Sequence, residues 1–201
     1  MKKGLLVGCV VGGAILVILL MVVFWSIGVY NNLVTLNEQV DQKWSQVQNQ
    51  YQRRLDLIPN LVATVRGVAD FERQTMTDVV EARAKATAMQ ITPEVLNDPV
   101  AFQKFQAIQG EVSGALSRLL VTVENYPQLK ANENFLQLQA QLEGTENRIA
   151  VERKGFNESV QSYNTSIKKF PTSFFASIFG FKDKQYFEAT VGAETPPKVE
   201  F

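Results

Sequence analysis

The sequence predicts an all-α protein in which an N-terminal transmembrane helix is followed by an up-and-down antiparallel bundle of four helical segments. Three observations lead to this prediction. Residues 4–30 form an apolar run without a charged residue, apolar residues then recur at steps of three and four, and prolines divide that pattern into segments of comparable length. The predicted organisation is a cytoplasmic stub and anchor over residues 1–30, a helical bundle over residues 31–170, and an aromatic-rich segment with a disordered tail over residues 171–201.

The first apolar run is long enough to span a bilayer. As a helix, residues 4–30 would extend ~40 Å, compared with the ~30 Å hydrocarbon core. Lys2 and Lys3 precede the run and the first charge after it is Glu38, which predicts a single-pass helix with its N-terminus inside and the C-terminal domain outside the cytoplasm. A cleavable signal peptide is the alternative, but the apolar core is long and no A-x-A pattern follows it, so a retained signal-anchor is favoured.

One face of this span carries glycine at every fourth position, namely Gly4, Gly8 and Gly12. Small residues at this spacing let a second helix backbone approach closely, so the sequence predicts transmembrane self-association through this face. The alternative is a lone span, since such glycines also occur in helices that do not associate. The expected partners are therefore the lipid bilayer and further copies of the chain.

Residue composition argues against an enzyme and against nucleic-acid binding. The chain has 20 Lys and Arg against 20 Asp and Glu, so no basic field attracts nucleic acid. It has no histidine, which removes the commonest general base, the commonest zinc ligand and every Ser-His or Cys-His nucleophile pair. Its single cysteine, Cys9, lies in the apolar run, so no intrachain disulfide can form. The prediction is a non-enzymatic protein that uses no cofactor or metal.

The first amphipathic stripe begins directly after the anchor. Its apolar residues are Leu33, Leu36, Val40, Trp44, Val47, Tyr51, Leu55, Ile58, Val62, Val65 and Ala69. Pro59 interrupts this stripe, and a proline inside a helix costs about 3 kcal/mol. A turn at Pro59 is predicted, because an unbroken first helix would extend far beyond the other helices. The alternative is a bundle of three long helices with a kink at Pro59.

Three further helical segments follow the predicted turn. The second continues to about Met89, the third runs from Pro99 to about Asn125, and the fourth runs from roughly Asn132 to Phe170. The stripe of the third segment consists of Phe102, Phe105, Ile108, Val112, Ala115, Leu119 and Val123. The stripe of the fourth consists of Phe135, Leu138, Leu142, Thr145, Ile149, Phe156, Val160, Tyr163, Ile167 and Phe170. The near-heptad spacing of the fourth stripe is typical of a coiled coil.

Beyond the fourth segment, aromatic and aliphatic residues are concentrated at Phe174, Phe175, Ile178, Phe179 and Phe181. So dense an apolar patch has to be covered. A short helix and an extended piece that fold back on the bundle are favoured; the alternatives are contact with the lipid interface and contact with a partner protein.

Charged residues within the stripes need partners if they are buried. Arg54 lies on the first stripe, and with a turn at Pro59 it should share a layer with Glu124, so the sequence predicts that these two residues pair. The alternative is that the charges lie at the flanks of the bundle and extend into water. Glu143, Glu146 and Glu152 are interpreted as a solvated helix face, because the di-metal bundle pattern requires histidine.

Several stretches resemble the LemA family of bacterial membrane proteins. They are YNNLV at residues 30–34, QRR at 52–54, DLIPNLV at 56–62, ENYPQLKA at 124–131, LEGTENRIA at 142–150, YN at 163–164, FP at 170–171 and GF at 180–181. The resemblance implies an N-terminal anchor in the bacterial inner membrane and an up-and-down helical bundle, and it carries over no catalytic residue. One member of the family is associated with building magnetosome membranes.

Together these observations favour a membrane-anchored, non-enzymatic helical scaffold that self-assembles at the bilayer surface. The alternative is an extracytoplasmic adaptor or signalling partner that docks another protein through the aromatic C-terminal segment.

Overall fold

The computed structural model describes residues 2–67, 72–89 and 93–188, and the side chains of this range except those of residues 2–10, 93 and 94. The helices are α1 Lys2–Arg66, α2 Arg73–Ala88, α3 Pro99–Val123, α4 Pro127–Lys130, α5 Glu133–Lys168 and α6 Thr172–Phe179, with a 3₁₀ helix at Pro93–Asn97. No β-strand occurs in these described ranges, which confirms the all-α prediction. Residues 181–188 are extended, and the predicted disordered tail lies outside the described residues from 189 onward.

Local capping chemistry explains where the two longest helices after α1 begin. The carboxylate of Asp98 accepts hydrogen bonds from the amides of Val100 and Ala101, directly ahead of α3. The side chain of Asn132 accepts from the amide of Phe135 at the start of α5. Both starts agree with the residues predicted from the sequence.

Two apolar cores lie one above the other along the distal part of α1. The lower core includes Leu33, Val40, Trp44, Val47, Tyr51, Phe102, Phe105, Ile149, Phe156, Val160, Tyr163, Ile167 and Phe187. The upper core includes Leu55, Ile58, Leu61, Val62, Val65, Val79, Ala82, Val112, Leu119, Val123, Phe135 and Leu142. Leu33 of α1 shares the lower core with Ile167, near the end of α5. Val65 shares the upper core with Phe135, near the start of α5, so α1 and α5 are antiparallel.

The turn predicted at Pro59 is wrong, because α1 continues through Pro59 and ends at Arg66. Proline supplies no amide to bond the carbonyl four residues earlier, which is that of Leu55. The Arg83 Nε of α2 donates a hydrogen bond to this carbonyl at 3.0 Å. The backbone group that Pro59 leaves without a helical donor is thus bonded by the neighbouring helix.

The alternative with three long helices is also incorrect in one respect. It extends the first helix to about Met89, whereas α1 ends at Arg66, is followed by Gly67, and α2 begins at Arg73. The predicted stripe residue Ala69 lies outside the described residues.

Replacing Arg83 with methionine should lower the free energy of unfolding by about 1–2 kcal/mol, because the Leu55 carbonyl loses its donor. In a Pro59→Ala background the loss should be smaller, since an amide at residue 59 can bond that carbonyl within α1. Urea unfolding followed by circular dichroism in detergent measures both differences.

The matched control for this pair of measurements is Arg73→Met, which removes an exposed arginine from the same helix, α2. Equal losses for Arg83→Met with and without Pro59 would show that Arg83 does not compensate for the proline.

Candidate functional site

Residues 11–25 of α1 are all exposed. In the described part of the chain α1 is the one helix long and apolar enough to cross a membrane, and the most apolar stretch of α1 is not buried in the protein. Apolar side chains from Val11 to Ile27 are therefore exposed on a helix that requires apolar surroundings.

The glycine face predicted for self-association lies in this part of α1. A Cβ atom added at Gly12 would meet no heavy atom within 4 Å, so the face is open at this position. Gly4 and Gly8 belong to α1, but they lie in the stretch whose side-chain surroundings the structure does not describe. Self-association through this face stays a prediction.

Helix α6 packs against α1 where the apolar run ends. The ring of Phe175 meets the ring of Trp25 edge-on with a centroid separation of 5.1 Å, and Phe179 meets Tyr30 in the same way at 5.1 Å. Phe181, just after α6, also contacts Tyr30 at 5.9 Å. Three of the predicted contact residues thus hold α6 at the level of Trp25 and Tyr30, and aromatic residues at the end of an apolar span typically lie at the membrane–water interface.

The other side of α6 is uncovered. Phe174 and Ile178 are each 62% exposed, and Phe170, just before α6, is 89% exposed. We call these three residues the apolar foot. The sequence pattern does not divide the aromatic residues of this segment, whereas the structure separates those that attach α6 to α1 from those that form the foot.

Arg54 is buried at the junction of α1, α3 and α5, with only 1% of its side chain exposed. Its Nη1 donates to Ser113 Oγ and to Glu146 Oε1, each at 2.7 Å. Its Nη2 donates to the carbonyl oxygen of Gln109 at 3.2 Å and to Gln109 Oε1 at 2.6 Å. A buried guanidinium is stable only when its charge and most of its donors are met. These three residues receive the bonds of Nη1 and Nη2, whereas the buried Nε of Arg54 has no partner among the described residues.

The predicted pairing of Arg54 with Glu124 is therefore wrong. Glu124 is exposed and follows the last residue of α3, Val123, which lies in the upper core with Val65 of α1. Because α1 does not turn at Pro59, the end of α3 lies about 11 residues, or ~17 Å, above Arg54. The antiparallel α5 brings Glu146 to the level of Arg54 instead.

Tyr51 lies beside this arginine, with the Arg54 guanidinium 5.1 Å from its ring centroid. Burial raises the pKa of the Tyr51 phenol, while the charges of Arg153 and Arg54 act in the opposite direction. The phenol therefore stays neutral well above pH 7. Arg54 has its charge met by Glu146, and the cluster joins α1, α3 and α5.

The carboxylates considered as metal ligands do not converge. Glu146 binds Arg54, and Glu143 is exposed and accepts a hydrogen bond from Gln139. Over the described ranges, no group of three or more Cys, Asp or Glu residues is placed to hold a metal ion.

The hydrogen bonds that hold the extended residues 181–188 were not predicted from the sequence. Asn164 bonds both the amide and the carbonyl of Lys184, at 3.0 and 2.9 Å, and Asn157 bonds both groups of Phe187, at 2.9 Å each. The buried Lys184 Nζ also reaches Asp41 at 3.1 Å. The one signal in the sequence is that Asn157 and Asn164 are seven residues apart, which places two amides on one face of α5.

Comparison with known proteins gives one family and several relatives. The model of the LemA family matches residues 43–201. Magnetosome protein MamQ of Magnetospirillum gryphiswaldense is 29% identical over 183 residues, which cover 83% of this chain and 67% of that protein. Magnetosome protein MamQ 2 of Paramagnetospirillum magneticum is 27% identical with the same coverage. Protein LemA of Metamycoplasma hominis is 22% identical over 167 residues, covering 83% of this chain and 72% of the relative.

Proposed function

This chain belongs to the LemA family, and on that premise we propose that it is a membrane-anchored, non-enzymatic scaffold that self-assembles at the bilayer surface. The position of α6 carries the proposal: ring contacts with Trp25 and Tyr30 place the apolar foot beside the end of the apolar helix. The anchor and the foot would then hold the helical body of the protein on the bilayer.

The proposed location is the bacterial inner membrane, with the bundle outside the cytoplasm. Lys2 and Lys3 before the apolar run and the absence of a basic residue directly after it support this orientation. Protease added to intact spheroplasts should digest the bundle, and its protection there would reverse the orientation.

The foot gives the proposal a physical basis beyond the anchor. Transferring a Phe or Ile side chain fully out of water is worth about 1.5–3 kcal/mol, so three such residues add a substantial second membrane contact. Because α6 is fixed to α1 by its inner rings, this contact would also set the angle between the bundle and the membrane.

A fluorescent label on the foot should be shielded by lipid. In a Cys9→Ser background, a label on Phe174→Cys should be protected from aqueous iodide when the full chain is reconstituted in phosphatidylcholine vesicles. A label on Leu136→Cys, an exposed apolar position of α5 in the upper part of the protein, should be quenched freely.

Equal quenching of the two labels would contradict the lipid contact. It would favour the alternative function, an adaptor that docks a partner protein through the aromatic segment, because Phe170, Phe174 and Ile178 would then be free.

Self-assembly should depend on the glycine face. The full chain in mild detergent should give particles of several copies by native mass spectrometry, and Gly12→Leu should shift them toward monomer, because the larger side chain blocks close backbone approach. Gly13→Leu is the matched control, since residue 13 is rotated by about 100° from that face and is equally open. A strictly monomeric wild-type protein would remove the self-assembly part of the proposal.

A further inference from the structure

The part of the protein beside the end of the apolar run carries an excess of positive charge. Between residues 168 and 184 the chain has four lysines and one carboxylate, namely Lys168, Lys169, Lys182, Lys184 and Asp183. Lys168 Nζ pairs with Asp183 at 3.0 Å. The buried Lys184 Nζ pairs with Asp41 at 3.1 Å. Lys169 and Lys182 are exposed, and neither has a carboxylate partner among the residues that the structure describes.

Lys182 lies at the level where the apolar run of α1 ends. It follows Phe181 directly, and the ring of Phe181 contacts that of Tyr30, the last residue of the run, at 5.9 Å. The backbone of Lys182 is hydrogen-bonded to the buried phenol of Tyr163, which fixes Lys182 at this level. Aromatic residues at the end of an apolar span typically lie among the lipid headgroups, and Lys182 shares their level.

Lys169 reaches the same level from the end of α5. It lies two residues after Ile167, which shares the lower core with Leu33 of α1. Leu33 is only three residues, or ~4.5 Å, beyond the end of the apolar run, and the antiparallel α5 brings Lys169 ~3 Å closer to it. Lys169 also directly precedes Phe170 of the apolar foot. Since α6 contains no charged residue, the foot has an unpaired cation at each end.

No carboxylate of the described residues offsets these two charges at the same level. Glu38, the first carboxylate of α1, lies eight residues, or ~12 Å, beyond Tyr30. The Debye length at physiological salt is ~8 Å, so an exposed charge at that distance is largely screened from the two lysines. Asp41 and Asp183 are already paired. The electrostatic field beside the foot is therefore positive.

We propose that Lys169 and Lys182 bind the phosphate groups of anionic phospholipids, so that the foot selects lipids of this class. The inference rests on the proposed membrane contact of the foot and adds the kind of lipid that this contact favours. In a zwitterionic lipid the amine of the headgroup neutralises the phosphate, whereas an anionic lipid leaves the phosphate charge uncompensated. Each lysine near an anionic surface favours it by a factor of about five.

The two kinds of contact are compatible in one segment. A lysine side chain has a long apolar stem, which can lie along apolar surface while the ammonium group remains in the polar layer. The stems of Lys169 and Lys182 can thus follow the foot, and their Nζ atoms reach the phosphates above it.

Lipid quenching of Trp25 in the full chain tests the proposal without an added label. Trp25 contacts Phe175 of α6, whereas the other tryptophan of the chain, Trp44, is 1% exposed and adds a constant background. The protein is reconstituted in vesicles with equal amounts of phosphatidylcholine and phosphatidylglycerol, and the acyl chains of one lipid or of the other are brominated. Because the two samples have the same lipid composition, the ratio of their quenching reports which lipid surrounds α6.

We expect brominated phosphatidylglycerol to quench Trp25 about two-fold more than brominated phosphatidylcholine, less than the factor for one lysine because Trp25 also meets lipids away from α6. The excess should disappear at 1 M salt, where the Debye length is ~3 Å. It should also disappear in the double variant Lys169→Gln, Lys182→Gln. The matched control is Lys104→Gln, Lys130→Gln, which removes the same charge from exposed positions of α3 and α4 and should keep the excess.

Equal quenching by the two lipids in the wild-type chain would overturn the proposal, and so would an excess that survives in Lys169→Gln, Lys182→Gln. Loss of the excess in the control variant would also overturn it, because net charge alone would then attract the anionic lipid. Equal quenching together with a foot label that is shielded in phosphatidylcholine vesicles would reject the lipid selection and leave the proposed membrane contact intact. A foot label that iodide quenches freely in those vesicles would reject both.

Discussion

Replacing Glu146 with glutamine should lower the free energy of unfolding by roughly 2–3 kcal/mol. The substitution leaves the Arg54 guanidinium, 1% exposed, with Gln109 and Ser113 as neutral acceptors and without a countercharge. Removing one member of a fully buried pair costs about 3–5 kcal/mol. The expected loss is smaller here because Glu146 is 40% exposed and water screens part of its interaction.

The control for this measurement is Glu143→Gln, which makes the same chemical change on the exposed face of α5. Surface substitutions of this kind usually change stability by less than about 0.5 kcal/mol. Thermal unfolding followed by circular dichroism in detergent compares the two variants. Similar losses for Glu146→Gln and Glu143→Gln would show that the pair with Arg54 contributes little to the fold.

Truncation of Trp44 to alanine should have the largest effect, about 4–5 kcal/mol, because it empties the centre of the lower core. Trp44 is 1% exposed. Its ring centroid lies 5.2 Å from that of Phe105, 5.5 Å from Phe156 and 6.0 Å from Phe187. Since Phe187 anchors the extended residues 181–188, amide exchange at Phe187 should also become faster in Trp44→Ala.

Trp44→Phe separates the two contributions of this residue. It keeps an aromatic ring in the cluster and removes the indole Nε1, which is buried and has no hydrogen-bond partner within the described part of the protein. The expected loss is therefore much smaller, about 1–2 kcal/mol. A loss as large as that of Trp44→Ala would mean that the indole itself, and not the aromatic packing, holds the lower core together.

Sequence patterns identified the helices well and their partners poorly. Asp98 and Asn132 were recognisable as helix starts because capping involves only the next two or three residues. Pro59 was misjudged because the donor that bonds the Leu55 carbonyl is Arg83, 28 residues away along the chain. The pairing of Arg54 was misjudged for a related reason. A turn assumed at Pro59 placed the end of α3, and with it Glu124, at the level of Arg54, whereas α1 continues and the end of α3 lies several helical turns away.

The sequence by itself determined the class of this protein: an apolar helix near the N-terminus, an all-α body, no histidine chemistry and the LemA family. These features follow from composition and from periodicities that act over one or two helical turns. Only the tertiary structure decided that α1 continues through Pro59, that Arg54 binds Glu146, and that α6 attaches by one side and leaves the other side bare. Each of these depends on which groups from distant parts of the chain lie at the same level along the axes of neighbouring helices. The periodicity of one helix holds no information about how far its neighbours are shifted along their axes.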